Sequence, residues 1–516
     1  MWSELVTHAV IGTARNEFRI PTAAGPLTSA FTQLTHAPAE QALLAAAALV
    51  TQMRRAGRKP TRPDALILAA APETAPPCSS LVASHLASLL DATNDRRLTE
   101  WLDRATELGL RVPFESLPAL LDAGKASRAL RTRIVKVAGQ RGRWLAAQNE
   151  DWRFAGGAPD DDALWQTGDA EARMILFETL RQSDPARARA FLMQTWRQES
   201  TDFKARVVQL VGHGLSAEDE PLLEGALDER RQDIRAAAAE VLAQLPGAAF
   251  RTRMLERVCA HLAVAAEALV VTLPDAFESG WQRDGIVENG PPAGGKIGPR
   301  AWWLMQMLRR APARELRARL NVDGANWVTL ARATEYGVPL LESIADAACL
   351  GRDDATLAAL IDNADEMLED DGLLVRVLEA APPADAEMYI ARQFRDSSLW
   401  FKPWSRPARI LREAQWSCSP NLGRIALDAL RAAVKANPLE TQHFSGVNML
   451  LWSIAQRLPV SLAGEAATGW PRDGETWATW EWLVTDFLSR LQFRHDMLAA
   501  LDTAAVEAAA IGPRSA

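Results

Sequence analysis

The sequence predicts an all-α protein built from successive helix pairs, and three observations carry that prediction. Ala, Leu and Arg dominate the 516 residues, whereas strand-favouring residues are sparse, with 2 Tyr and 14 Phe. Apolar residues recur at helical spacing in segments of about a dozen residues. Short breaks holding Gly, Pro or a capping residue separate those segments. A chain of this length suits either a few ordinary domains or one continuous array.

Residues 1–150 read as an N-terminal helical region. The stretch ALLAAAALVTQM, Ala42 to Met53, is too short and too rich in Ala for a membrane span and is expected as a buried helix. The opening MWSELVTHAVIGTARNEF carries Glu4 where a secretory signal is basic, so no leader is expected. A formal charge of −8 gives no overall attraction to nucleic acid or anionic lipid. Cys78, Cys259, Cys349 and Cys418 form no CxxC pair, which fits free thiols in the cytoplasm rather than a zinc site or disulfide frame.

Within this region KASRALRTRIVKVAGQRGRW holds seven cations and no acid. Leu130, Ile134 and Val137 share one side of a helical wheel, with Lys125, Arg128, Arg133 and Lys136 opposite, so a basic amphipathic helix is expected. It is a candidate for docking an acidic partner or phosphates. The alternative is a solvated face neutralised by Glu150, Asp151 and the run Asp160, Asp161, Asp162.

Residues 160–275 show the clearest helix alternation. QSDPARARAFLMQTW offers Ser183 as N-cap, with Pro185 in the first turn where its missing N–H is harmless, and a helix running to about Arg197. TDFKARVVQLVGHGL should close near Gly212 or Gly214. Ser216 with Asp219 three residues on approximates a capping box. In RRQDIRAAAAEVLAQLP, Ile234, Ala238, Val241, Leu242 and Leu245 share a face, and Pro246 stops the helix.

The segment DERRQDIRAAAAEVLAQLP resembles the second helix of a HEAT repeat, and Ala205-Arg206 recurs earlier in a similar position. That resemblance implies an α-solenoid, in which stacked helix pairs share a continuous core and expose an extended binding surface. More widely, LVTHAVIGTAR, GLSAEDEPLLEGALDERRQDIRAAAAEVLAQLP, and RDGI followed by RAWWLMQML resemble a bacterial family catalogued as a domain of unknown function. The resemblance implies a partner in systems of MoxR-type ATPases, von Willebrand A-domain proteins and SWIM zinc-finger proteins, and it supplies no catalytic residue.

Residues 276–300 form a Gly/Pro-rich segment whose GPPAGGK, read from Gly290, matches the spacing of a nucleotide phosphate loop. Ile297 stands where that loop needs a hydroxyl for magnesium, Gly298-Pro299 follows where a helix should begin, and no buried strand is expected upstream. ALVVTLPD reads as a helix end. A flexible surface loop is expected instead, with Lys296 and Arg300 beside Trp302 and Trp303 as candidates for partner docking. Adjacent tryptophans cannot both face one helix core, so one of the pair should be exposed or lie under the loop.

Residues 301–516 return to helical patterning and are rich in Trp. Residues 400–516 hold 8 of the 18 tryptophans and include ETWATWEWLVTDFLSRLQF, read as one long amphipathic helix. DNADEMLEDDG, from Asp362, lacks calcium-loop spacing and is expected as a solvated helix end. No HExxH or GxSxG motif is present. The sequence therefore predicts no catalytic, cofactor or metal residue, and points to a cytoplasmic scaffold or adaptor with a protein partner. A nucleic-acid-binding helical protein using the 125–136 stretch, and an enzyme with a dispersed site, are the rival readings.

Overall fold

A computed structural model describes residues 2–13, 18–20, 27–56, 68–91, 96–156, 161–291, 297–364, 368 and 370–511. They divide into two compact units, Met1–Ala70 and Ala71–Ala516. Among the described residues, the chain is α-helical apart from one two-stranded sheet, an isolated bridge and short 3-10 turns. No helix among them is long and apolar enough to cross a membrane.

The first unit holds α1 (Trp2–Ile11), α2 (Leu27–Thr32) and α3 (Ala39–Ala56). Ala42, Leu43, Ala46 and Val50 fall at helical spacing on α3 and pack with Leu5, Phe18 and Phe31 into a small core.

The second unit opens with α4 (Ser80–Asp91), α5 (Arg96–Glu107), α6 (Leu117–Ala126), α7 (Arg131–Val137) and α8 (Gly139–Gln148). Val82, Leu86, Trp101, Leu102, Leu120 and Ile134 form the centre of this block. The start of α8 is capped from outside. The Glu73 carboxylate accepts the N–H groups of Gln140 at 2.8 Å and Arg141 at 2.9 Å, placing negative charge at the positive end of the helix.

Next come α9 (Asp161–Thr167), α10 (Ala170–Ser183), α11 (Pro185–Thr195), α12 (Thr201–Val211), α13 (Glu220–Ala226), α14 (Gln232–Gln244) and α15 (Ala249–Cys259). Ser183 ends α10, and the N-cap of α11 is Asp184, whose carboxylate accepts the Arg187 N–H at 3.1 Å; a carboxylate at this end also favours the helix dipole. Gly212 closes α12, the Ser216–Asp219 capping box forms, and α14 buries Ile234, Ala238, Val241 and Leu242.

ALVVTLPD is not a helix end. Ala268–Val271 is strand β2, antiparallel to β1 (Leu262–Ala265), and Ala266 and Glu267 turn the hairpin with φ of 48° and 61°. Two positive φ values in a two-residue loop are the geometry of a hairpin turn that ordinarily uses Asn and Gly. The sheet packs by β1 on α15 and α18 (Ala313–Leu320) and by β2 on α19 (Gly324–Arg332), and Leu262 and Leu269 are buried.

Beyond the hairpin lie α16 (Ser279–Arg283) and α17 (Pro299–Leu308). A helix therefore does begin at Pro299, with Pro at its first position where no N–H is needed. After α18 and α19 follow α20 (Gly337–Gly351), α21 (Asp354–Asp362), α22 (Asp371–Ala380), α23 (Pro383–Arg395), α24 (Arg406–Glu413), α25 (Pro420–Ala436), α26 (Phe444–Ala455), α27 (Ala463–Ala466) and α28 (Trp477–Ile511). Part of the acidic 362–372 stretch, residues 365–367 and 369, lies outside the described residues.

Helices pack on the neighbour two places along the chain. α20, α22, α24, α26 and α28 follow one another in one row, and α19, α21, α23 and α25 in a second. Gly324 permits one such approach, since a methyl there would stand 2.1 Å from the Ala355 carbonyl oxygen. The last helix joins the two ends of this unit. Trp480, Val484, Phe487 and Leu491 of α28 belong to the core of the later helices, while Met497, Leu501 and Ala504 complete the core of the 78–155 block. Arg494 donates to Glu100 at 2.9 and 2.7 Å, and Arg104 to Asp502 at 2.8 Å.

Arginines also satisfy helix-end carbonyls, groups without a partner inside their own helix. Arg494 donates to the carbonyls of Ala455 and Leu458, Arg457 to those of Arg412 and Ala414, and Arg431 to those of Glu465 and Thr468. The abundance of Arg over Lys thus has a structural use, because a planar fork reaches two acceptors at once.

Candidate interaction surface

The cations of the 125–136 stretch do not lie on one helix. α6 ends at Ala126, Ser127 is extended, Arg128–Leu130 is a 3-10 turn, and α7 starts at Arg131. Three of them are paired: Lys125 with Asp151 at 2.7 Å, Arg128 with Glu178 at 2.6 Å and Arg133 with Asp103 at 2.7 Å. Lys136 is exposed. Asp151 neutralises as the sequence suggested, but Asp161 and Asp162 turn instead to Arg187.

In the Gly/Pro-rich segment Lys296 lies outside the described residues. The other three candidates sit at the start of α17. Trp303 is buried, its Nε1 donates to the Glu288 carbonyl at 2.8 Å, and its ring meets the edges or faces of Phe277 and Trp281. Arg300 donates to the carbonyls of Pro274 and Leu273 and pairs with Asp275 at 2.7 Å. One turn on, the Gln306 amide accepts the Val287 N–H at 2.9 Å and donates to the Val287 carbonyl at 3.0 Å. Residues 300, 303 and 306 on one face of α17 thereby tie both ends of the 273–288 connection. Trp302 is partly buried, with Arg309 stacked 5.1 Å from its ring centroid.

The large exposed aromatic groups of the second unit lie elsewhere, on α26, on α28 and in the turn before α24. Trp404 is 54% exposed, Trp482 56%, Met449 47%, Trp452 39% and Phe444 36%. On α26 the buried stripe is Val447, Leu450, Leu451 and Ile454, which leaves Met449 and Trp452 on the opposite side and Phe444 on the flank of the first turn. Phe444 meets Trp482 of α28 with ring centroids 5.3 Å apart. Trp404 lies against Gly446 of α26, where a methyl group would stand 3.1 Å from the indole. The aromatics are thus carried by adjoining elements rather than scattered.

Arg412 of α24 stacks over Trp404 at 5.4 Å and donates to the Pro403 carbonyl at 2.6 Å. Burial, and after it the neighbouring Arg409, holds its guanidinium below the ordinary Arg range against an opposing pull from Glu413. Four other tryptophans, Trp101, Trp327, Trp400 and Trp480, are fully buried. Exposed Trp beside Arg is the composition enriched in protein interfaces and in their energetic centres. The sequence signal was the spacing of Trp480 and Trp482, two residues apart on a helix, of which only the first faces the core.

Burial pushes the thiols of Cys78, Cys349 and Cys418 up to about 11, 12 and 12, so they stay protonated and weakly nucleophilic at neutral pH. Among the described residues no three His, Cys, Asp or Glu side chains converge to hold a metal ion.

Comparison with known families places the chain. It belongs to a family of unknown function (DUF5691), whose model matches residues 4–501. No curated protein and no solved structure matches it.

Proposed function

We propose that this member of the family is a non-enzymatic interaction scaffold of the cytoplasm, a HEAT-like superhelix whose C-terminal aromatic surface receives a protein partner. The observation that carries the reading is the set of Trp404, Phe444, Met449, Trp452 and Trp482 left open to solvent on adjoining elements. An exposed aromatic patch in a soluble chain is a mark of association. The repeat reading is supported by helices packing two places along the chain in two rows, the arrangement of stacked helix pairs. The sequence resemblance directs the search for the partner to MoxR-type ATPases and von Willebrand A-domain proteins. Pairing of Lys125, Arg128 and Arg133 with acids weighs against the nucleic-acid reading, since those cations are already neutralised.

The test is affinity recovery from the native host with the wild-type chain and with a Trp452→Ala, Trp482→Ala double variant. Recovery of such an ATPase by the wild type and its loss from a variant with unchanged melting supports the proposal. Equal recovery by both removes the aromatic surface from the function.

A further inference from the structure

A concave feature lies on the other row, between the end of α23 and α25. It is a cavity of about 440 Å³ with Phe394, Phe401 and Ile425 as walls and a floor of Ala429, Ala432, Ala433 and Ala436 from α25. Arg395, Asp428 and Asn437 supply its polar lining. None of the four exposed aromatics lines it, nor does Met449.

The two charged side chains in the lining, Arg395 and Asp428, differ in what holds them. The Asp428 carboxylate is held by Arg431 at 3.0 Å. Arg395 is exposed and has no carboxylate partner among the described residues. Lys402, next to Phe401, and Lys435, next to Ala436, are also exposed and without a carboxylate partner among the described residues. Asp396 is the one further acid adjoining the lining, and it is engaged in an interaction of its own. Of the two charged side chains that line the cavity, Asp428 is thus taken up by Arg431 and Arg395 is left without a carboxylate among the described residues. The size falls within the roughly 300–1,000 Å³ of small-molecule sites, and the mixture of apolar wall with one polar anchor is their usual lining.

We infer that this cavity binds a small carboxylate carrying an aliphatic or aryl chain, with the chain against Phe394, Phe401 and Ile425 and the carboxylate on Arg395. Charge complementarity selects an acid over a neutral or cationic ligand. Arg395 supplies the planar fork that matches a carboxylate with two parallel hydrogen bonds. The alanines of α25 leave the room the chain occupies, and larger side chains there would close it.

The full chain is titrated calorimetrically with 4-phenylbutyrate and, separately, with its neutral amide at millimolar concentration. The acid is expected to bind saturably and the amide about tenfold more weakly, the size of one charge-assisted contact. Arg395→Gln should reduce acid affinity to that of the amide. Ala432→Phe, at an exposed lining position where the larger ring can be tolerated, should abolish binding of both while the melting temperature is kept. Equal affinity for acid and amide overturns the assignment, as does full binding by either variant or no saturable binding of the acid to the wild type.

Discussion

The guanidinium of Arg181 holds the carboxylate of Asp219 through two hydrogen bonds, 2.9 and 3.0 Å long, with both side chains fully buried. Arg189 adds a third contact at 3.1 Å, and Arg181 also donates to the His213 carbonyl at 2.8 Å. The pair ties α10 to the capping box ahead of α13, and removing one partner strands a charge in the interior. Asp219→Ala should cost about 3–5 kcal/mol of unfolding free energy, measured by urea denaturation. A loss under 1 kcal/mol would show that Arg181 finds adequate acceptors among the carbonyls alone.

The same pair predicts a pH dependence. Burial by itself pushes the Asp219 carboxyl up, but the hydrogen bonds from Arg181, the Ser216 N–H and Arg189 outweigh it and leave its pKa below the ordinary 3.8. Because the folded value is the lower one, this stabilisation is fully present above pH 3.8 and drains away as pH falls through the folded pKa. Asp353, bonded by Arg317 and Thr356, is shifted in the same direction. An Asp219→Asn, Asp353→Asn variant should be less stable at neutral pH yet show a flatter stability curve between about pH 5 and pH 2. A curve parallel to the wild type would contradict this assignment.

The return of α28 predicts long-range coupling. Leu501 is fully buried in the core of the 78–155 block, so Leu501→Ala should cost about 2–5 kcal/mol. Hydrogen exchange should show the loss locally, with faster exchange in α4 and α5 than in α12 and α14. Uniform acceleration across the second unit would mean that the block does not depend on the helix in particular.

Two glycines should respond oppositely to alanine. At Gly324 the added methyl meets the Ala355 carbonyl, so Gly324→Ala should destabilise by roughly 1–3 kcal/mol. Gly225, within α13, has open space around the same position, and Gly225→Ala should stabilise by about 0.5–1 kcal/mol through helix propensity. Thermal melts of the two variants that move in the same direction would count against the close approach of α19 and α21.

Trp480 and Trp482 separate core from surface on a single helix. Trp480 is buried and its Nε1 donates to the Asn437 carbonyl at 3.0 Å, so Trp480→Ala should cost about 3–5 kcal/mol. Trp482 is half exposed, and Trp482→Ala should change stability by no more than about 0.5 kcal/mol. Denaturation midpoints decide it, and a large loss at Trp482 would assign that ring to the fold rather than to association.

The sequence by itself determined the features governed by residues within a few positions of one another. Helix identity, the capping box at Ser216 and Asp219, the stop at Gly212, the apolar stripe of Ile234 to Leu242 and the long helix after Trp477 all rest on local spacing and capping chemistry. Tertiary structure decided the rest. The hairpin at Ala266 and Glu267 carries no local turn signature, and the two strands gain their place from packing on α15, α18 and α19. Whether Lys125, Arg128 and Arg133 are free depended on Asp151, Glu178 and Asp103, residues 26 to 50 positions away. The choice between Trp303 as a docking group and as a buried ring bonded to Glu288 was set by the path of the connection before α17. The seating of α28 on α4 and α5 joins residues 394 positions apart. Such contacts depend on how whole helices come to lie together, and no window of local sequence encodes that placement.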